Sequence, residues 1–255
     1  EGRVGLGNID PSPGYSAESI EDSLKVLKEV LAPSVIGLDA FNIHELLISM
    51  NRSVEHFYDA KAAIEMACTD LICRKLDVPV YTYLGGEVVD EVLFNAWIGI
   101  LPPDEAAAEA KKWFDKGFKS AKVKVGGNIQ ADKDRIAAIR EAVGPTMKLR
   151  ADANAGYQVE EAIALGRLLE PFDLQLFEQL VHADDLVGMA KVRQAVGIPI
   201  MADESIIDHE SLIAVIKEDA ADIVKLKVMK QGGFLNARRM LETASAAGLK
   251  VVIGH

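Results

Sequence analysis

The stretch SAKVKVGGNIQADKDRIAAIREAVGPTMKLRADAN, Ser120 to Asn154, decides the fold. Both of its ends are short apolar runs with alternating character. Ala121, Val123 and Val125 share one parity and Lys122 and Lys124 the other, while Leu149, Ala151 and Ala153 oppose Arg150, Asp152 and Asn154. Alternate residues of a strand face the same way, so each run reads as a strand with one apolar face. Between them apolar residues recur at helical spacing. Strand 120–126, helix 130–143 and strand 147–153 form a βαβ unit, which implies parallel strands and a right-handed crossover.

The alternation extends both ways, with strands at 92–98, 173–178, 198–203, 222–228 and 249–254 and helices at 103–116, 158–169, 184–196, 208–217 and 233–247. A doubly wound open sheet would gather its function at one switch point behind a Gly-rich first turn. Here a polar residue closes five consecutive strands: Lys124, Asp152, Glu178, Asp203 and Lys227, at intervals of 28, 26, 25 and 24 residues. An α/β barrel builds its site in this way, from one end of successive strands. The expected class is therefore α/β, a modified TIM (β/α) barrel over 91–255, with an eighth βα unit expected beyond His255.

Before residue 91 the alternation is absent. SAESIEDSLKVLKEVLA, FNIHELLISM and YDAKAAIEMACTDLICRKL carry apolar positions at helical spacing, with Ser16 or Ser19 expected to cap the first helix and Pro33 to lie just past its end. Gly85-Gly86 marks a turn, and the domain boundary is placed there, giving domains 1–90 and 91–255. With 49% apolar side chains in 255 residues, the chain can bury a large core. A net charge of −11, without a Lys/Arg block, argues against nucleic acid or an anionic membrane as partner. No apolar run of membrane-spanning length and no export leader is visible. Cys68 and Cys73 point in different directions on a helix, so no disulfide is expected between them and the expected compartment is the reducing cytoplasm.

Helices cover the apolar parity of each strand, so the lysines point inward, where an ammonium needs acids or must lose its proton. Lys225 and Lys227 have the same inward parity, opposite Val224, Leu226 and Val228. Asp152, Glu178 and Asp203 would repel one another unless a divalent cation held them, and an all-oxygen set favours Mg²⁺ or Mn²⁺ over zinc. A carboxylate bound to such an ion has a more acidic α-proton, because the enediolate left on its removal is stabilised. Lys124 and Lys227 flank the acids and could reach opposite faces of a small carboxylate substrate as general bases. Lys122 reads either as orienting that carboxylate or as neutralising the acids, and Lys225 as a structural ion pair. Asn154 and Glu204 read as hydrogen-bonding a ligand or a lysine, or as purely structural. His255 reads as a substrate contact or a capped barrel end; His44, His56, His182 and His209 lack ligand spacing and read as surface or packing residues.

KVK (Lys122 to Lys124), DANAGY (Asp152 to Tyr157), FEQ (Phe177 to Gln179), ADES (Ala202 to Ser205) and LKVMKQGG (Leu226 to Gly233), with AKAAIEMACTDL and VPVYTYLGG earlier, resemble the enolase superfamily, specifically the muconate lactonizing subgroup of the mandelate racemase/muconate lactonizing enzyme family. The resemblance implies Lys124 and Lys227 as the acid/base pair and Asp152, Glu178 and Asp203 as Mg²⁺ ligands. It also implies an α+β capping domain, here expected to lack its first hairpin, and a homo-oligomer. Leu180 stands where the family commonly has proline, and Lys227 takes the place of the aspartate of a mandelate racemase-type histidine dyad, which argues against such a dyad at His255. The expected activity is that of a Mg²⁺-dependent isomerase, muconate cycloisomerase-like. An N-acylamino acid racemase or dipeptide epimerase ranks nearly level, an o-succinylbenzoate synthase-type lyase is a further alternative, and dehydration of a hydroxy acid comes third. A Schiff-base aldolase using the strand-six lysine is the distant alternative.

Overall fold

The computed structural model describes residues 2–12 and 16–254; His255 lies outside the described residues. Two compact units are present, one built from the chain up to Asp90 together with Leu226–Thr243, the other from Glu91–Lys225 with Ala244–Val252.

In the first unit, α1 (Ile20–Val26) runs through a π-helical turn, Leu27–Leu31, into α2 (Ala32–Val35), and is followed by α3 (Ile43–Ser53), α4 (Tyr58–Leu76) and α5 (Val80–Tyr83). Ser19 is the N-cap, its hydroxyl accepting from the Asp22 amide at 3.0 Å. Pro33 is not beyond the helix, as its sequence position implied, but inside α2 near its start. It lies just after the π-helical turn Leu27–Leu31, inside a continuous helical run, where the shifted hydrogen-bond register accommodates a residue without an amide proton. The first turn of α4 is capped from a distance: the Glu18 carboxylate accepts from the Asp59 amide at 2.9 Å and the Ala60 amide at 3.2 Å. Leu31, Leu46, Met50 and Ile72 make the core of this unit.

The expected α+β character of the first domain is corrected: among the described residues up to Asp90 there are helices but no strand. Residues 3–7 lie along α4 instead of pairing in a sheet. The Leu6 amide donates to Asp70 Oδ2 at 2.8 Å, and a Cβ on Gly5 or Gly7 would come within 1.9 Å of the Ala67 carbonyl or 2.0 Å of the Ala63 carbonyl. Only glycine permits that approach of backbone to backbone.

Asp59 supplies a pH test of this unit. Burial, then repulsion from Glu18, pushes its pKa up to about 6 against the pull of Lys230, Ser16 and Lys227. A carboxyl whose folded pKa lies above its unfolded value of about 3.9 gives stability that is complete at low pH and lost as pH rises through the folded value. Asp59→Asn is therefore expected to stabilise by about 1–2 kcal/mol at pH 7.5 and hardly at pH 4. Thermal melts showing the same difference at both pH values would contradict this.

The second unit contains β1 (Ala96–Ile98), α6 (Pro103–Asp115), β2 (Ser120–Lys124), α7 (Ile129–Val143), β3 (Lys148–Asp152), α8 (Val159–Leu169), β4 (Leu174–Glu178), α9 (Leu186–Ala195), β5 (Ile200–Ala202), α10 (His209–Lys217) and β6 (Ile223–Leu226). Then follow α11 (Phe234–Ala246), which belongs to the first unit as far as Thr243, and β7 (Lys250–Ile253). The sheet runs in the order β1-β2-β3-β4-β5-β6-β7, and every pair from β1–β2 to β5–β6 is parallel. A doubly wound sheet reverses its strand order at the switch point; this one does not. Strand β1 is shorter than its sequence pattern implied, starting at Ala96. It pairs with β2 only from Ala96↔Ala121 to Ile98↔Val123, and Val92, Leu93 and Phe94 before it are exposed. Among the described residues no helix is long and apolar enough to cross a membrane.

Candidate active site

Strands β2, β3 and β4 end on Lys124, Asp152 and Glu178, while Asp203 and Lys227 each follow one residue after β5 and β6. Parallel register sets Lys124 beside Asp152 and Asp152 beside Glu178. The parity arises from packing, because Ala121, Val123, Leu149 and Ala151 are fully buried on the helix side and turn the alternate residues to the other face.

Within the second unit the charged residues form a continuous chain of contacts. Lys122 Nζ lies 2.7 Å from Asp152 Oδ2 and 3.3 Å from Glu178 Oε1. Lys124 Nζ lies 2.6 Å from the same Asp152 oxygen and donates to Asn154 Oδ1. Lys225 Nζ bridges Glu178 Oε1 at 2.7 Å and Asp203 Oδ2 at 3.1 Å. Asn154 continues the chain, its Nδ2 donating to Glu204 Oε1 at 2.8 Å. Lys122 and Lys225 are thus ion-paired with the acids, and Asn154 contacts a lysine.

The electrostatics follow from this packing. Burial would raise the Asp152 carboxyl, but Lys122 and Lys124 outweigh it and hold it below the usual range. Burial and then the Asp152 charge raise Glu178 in spite of Lys122 and Lys225. Burial would lower Lys225, but Asp203 and Glu178 raise it well above the ordinary lysine value. Glu204 is raised chiefly by burial, with Asp203 adding to it.

Among the described residues no three His, Cys, Asp or Glu side chains stand as a ready cage for an ion. The acids are drawn onto the lysines instead. The donor chemistry nevertheless fits a hard divalent cation: Asp152, Glu178 and Asp203 are buried oxygen donors at successive strand ends, and Glu204 Oε2 is a buried oxygen with no hydrogen-bond partner.

Lys227, in the first unit, is buried, and its amide is held by the Gln231 side chain. The role anticipated for His255 falls outside the described residues. His44 contacts Arg239, His56 packs edge-on against Tyr58, and His182 lies near Asp184. A cavity of about 380 Å³ opens beside Lys124 and Asn154, with Trp97 and Ile100 on its apolar side. Gln179 was not singled out by sequence reasoning. Fully buried, it accepts from the Asp203 and Ser205 amides at 3.0 and 3.1 Å and donates to Ser205 Oγ at 2.9 Å, fixing the loop that carries Asp203. Its place directly after Glu178, in FEQ, was the available signal.

Residues 105–255 match the enolase C-terminal domain-like family, and residues 1–85 the N-terminal domain of the mandelate racemase/muconate lactonizing enzyme family. The chain belongs to the mandelate racemase/muconate lactonizing enzyme family of the enolase superfamily. It is accordingly an enzyme of the isomerase class. It is 34% identical over 255 residues to an N-succinyl-L-Arg/Lys racemase from Bacillus cereus, spanning 100% of this chain and 69% of that protein. A dipeptide epimerase from Enterococcus faecalis V583, solved with Mg and the dipeptide L-Leu-L-Tyr, superposes with a TM-score of 0.95 at 35% identity, covering 99% of this chain and 71% of that one. A muconate cycloisomerase from Pseudomonas fluorescens gives a TM-score of 0.90 at 32% identity, covering 97% of this chain and 70% of that one. The order of activities implied by the motifs is therefore corrected, with the racemase and epimerase reading ahead of the cycloisomerase one.

Proposed function

We propose that this family member racemises or epimerises an amino acid derivative whose nitrogen is acylated, such as an N-succinylamino acid or a dipeptide. The observation that carries the reading is Lys124, held by Asp152 and Asn154 at the edge of an apolar-walled cavity and next to three buried acids. Both compound classes named by the relatives share one reacting unit, a C–H between a carboxylate and an acylated nitrogen. Such a carbon inverts when its proton is taken from one face and another is delivered to the opposite face. In the proposed roles one of Lys124 and Lys227, as the amine, takes the α-proton onto Nζ; the other, as the ammonium, gives a proton from Nζ to the opposite face. The two exchange roles for the other stereoisomer, so the reaction runs in both directions.

Asp152, Glu178 and Asp203 would hold Mg²⁺, which supplies stabilisation of the negative charge developing on the substrate carboxylate. Asn154 and Lys122 hold Lys124 and the acids in place, and the Trp97 and Ile100 wall suits an acyl group or side chain. Residues 1–90 are proposed as the capping domain and 91–255 as the catalytic one. Proton NMR in D₂O with Mg²⁺, run on N-succinylamino acids, dipeptides and muconates, tests the reading. Loss of an α-proton signal with appearance of the other stereoisomer supports it. Lactone formation from a muconate, with the amino acid derivatives unchanged, favours the cycloisomerase reading that the Pseudomonas fluorescens structure keeps in view.

A further inference from the structure

We infer that Asp132, Arg135 and Tyr157 form a positioning network for Lys124, so that proton transfer on one face of the substrate depends on three buried residues that are not themselves acid or base. The inference rests on the two-lysine reading proposed above. Asp132 and Arg135 lie on the first two turns of α7, and Tyr157 follows the loop that leaves β3. All three are almost completely buried.

A single carboxylate joins the two site-bearing loops. Asp132 Oδ2 accepts from the Gly126 amide at 3.0 Å and from the Tyr157 hydroxyl, while Asp132 Oδ1 pairs with Arg135 Nη1. Arg135 donates in turn to the Lys124 carbonyl at 3.3 Å through Nη1 and to the Leu101 carbonyl at 2.6 Å through Nε. The backbone is therefore gripped at Lys124 itself and two residues later. Tyr157 extends this grip to the neighbouring loop, its own amide donating to the Leu180 carbonyl at 3.0 Å. The loop after β3, to which Tyr157 belongs, carries Asn154, whose Oδ1 accepts from Lys124 Nζ. Lys124 is thus fixed at both ends, by its main chain through Arg135 and by its Nζ through Asn154, and the Asp132–Tyr157 bond ties the two anchors together. Burial, reinforced by the Asp132 carboxylate, holds the Tyr157 phenol far above its ordinary pKa, so it stays a donor.

An ion pair of this kind could equally do no more than stabilise the start of α7, and stereochemistry separates the two roles. A purely structural defect slows both stereoisomers alike. Displacement of Lys124 slows only the one whose proton it takes, since Lys227 serves the other.

The test uses the full-length protein with Mg²⁺ in D₂O and follows α-proton exchange in each stereoisomer of N-succinyl-arginine and of alanyl-glutamate. Lys124→Ala identifies the stereoisomer served by Lys124, as the one whose exchange is lost. Tyr157→Phe, which keeps the ring and its packing, and Arg135→Lys are expected to slow exchange of that same stereoisomer by about tenfold or more, leaving the other within about twofold. A displacement of about 1 Å suffices for a loss of this order. Equal slowing of both stereoisomers by Tyr157→Phe, or no slowing of either, overturns the network. Equal effects on both from Lys124→Ala, or no exchange by the unsubstituted protein, overturn the two-lysine reading instead.

Discussion

Lys124→Ala and Lys227→Ala are each expected to lower stereoisomer interconversion by about 10²–10⁴-fold, the range typical of a lost general acid or base. Interconversion needs a proton to leave one face and another to arrive at the opposite one, so loss of either lysine blocks both directions even though exchange at the remaining face persists. For Lys124 the fold is not expected to suffer in parallel. Asp152, the acid it pairs with at 2.6 Å, keeps Lys122 at 2.7 Å and so is not left as an unpaired buried charge. A Lys124→Ala protein that melts close to the unsubstituted one but no longer interconverts stereoisomers would place the loss in the chemistry. Polarimetry or chiral chromatography reads the rate, and a variant retaining more than about a tenth of it would remove that lysine from the acid/base role.

The residues that proved legible in the sequence are those governed by strand parity. A buried apolar face imposes a period of two, so Lys122, Lys124, Asp152 and Lys225 could be assigned a common face before any coordinates were known, and their contacts with one another follow from it. Residues whose partners come from other loops left no such trace. Asp132 and Arg135 sit on α7 among Lys133 and Asp134, where the pattern is that of a solvated helix face, yet they are buried because Gly126, Leu101 and Tyr157 converge on them. Gln179 was equally silent, since its five side-chain bonds run to loop backbone and to the Ser205 and Met189 side chains, residues well separated from it. Pro33 misled for a related reason. A proline need not end a helix where a π-helical turn precedes it, and Gly5 and Gly7 permit close docking on α4 that no residue pattern of their own announces. The choice between epimerisation and cycloisomerisation lay beyond parity altogether, because both reactions use the same lysines and acids and differ in what surrounds the substrate.

Lys225→Met is expected to destabilise the cation-free protein by about 3–5 kcal/mol, the usual result of removing one member of a buried ionic cluster. Methionine preserves most of the side chain's length and apolar stem, so packing is nearly conserved and the loss is electrostatic. Lys225 now bridges Glu178 at 2.7 Å and Asp203 at 3.1 Å, with its own side chain 8% exposed. Without it, Glu178 keeps only the longer contact with Lys122 at 3.3 Å, and the mutual repulsion of Asp152, Glu178 and Asp203 that already raises Glu178 is less well compensated. The same repulsion should make the variant respond more strongly to a divalent cation than the unsubstituted protein, in which the Lys225 ammonium already lies between two of the three acids. A ligand present at 100 times its dissociation constant stabilises by about 2.7 kcal/mol, so excess Mg²⁺ is expected to restore a large part of the loss. Thermal melts in EDTA and in excess Mg²⁺ measure both effects independently of activity. Equal Mg²⁺ shifts in the two proteins would mean that Lys225 and the cation do not compete for Glu178 and Asp203. A variant no less stable in EDTA would mean that burying these acids costs the fold little, and the electrostatic basis for assigning them to a cation would go with it.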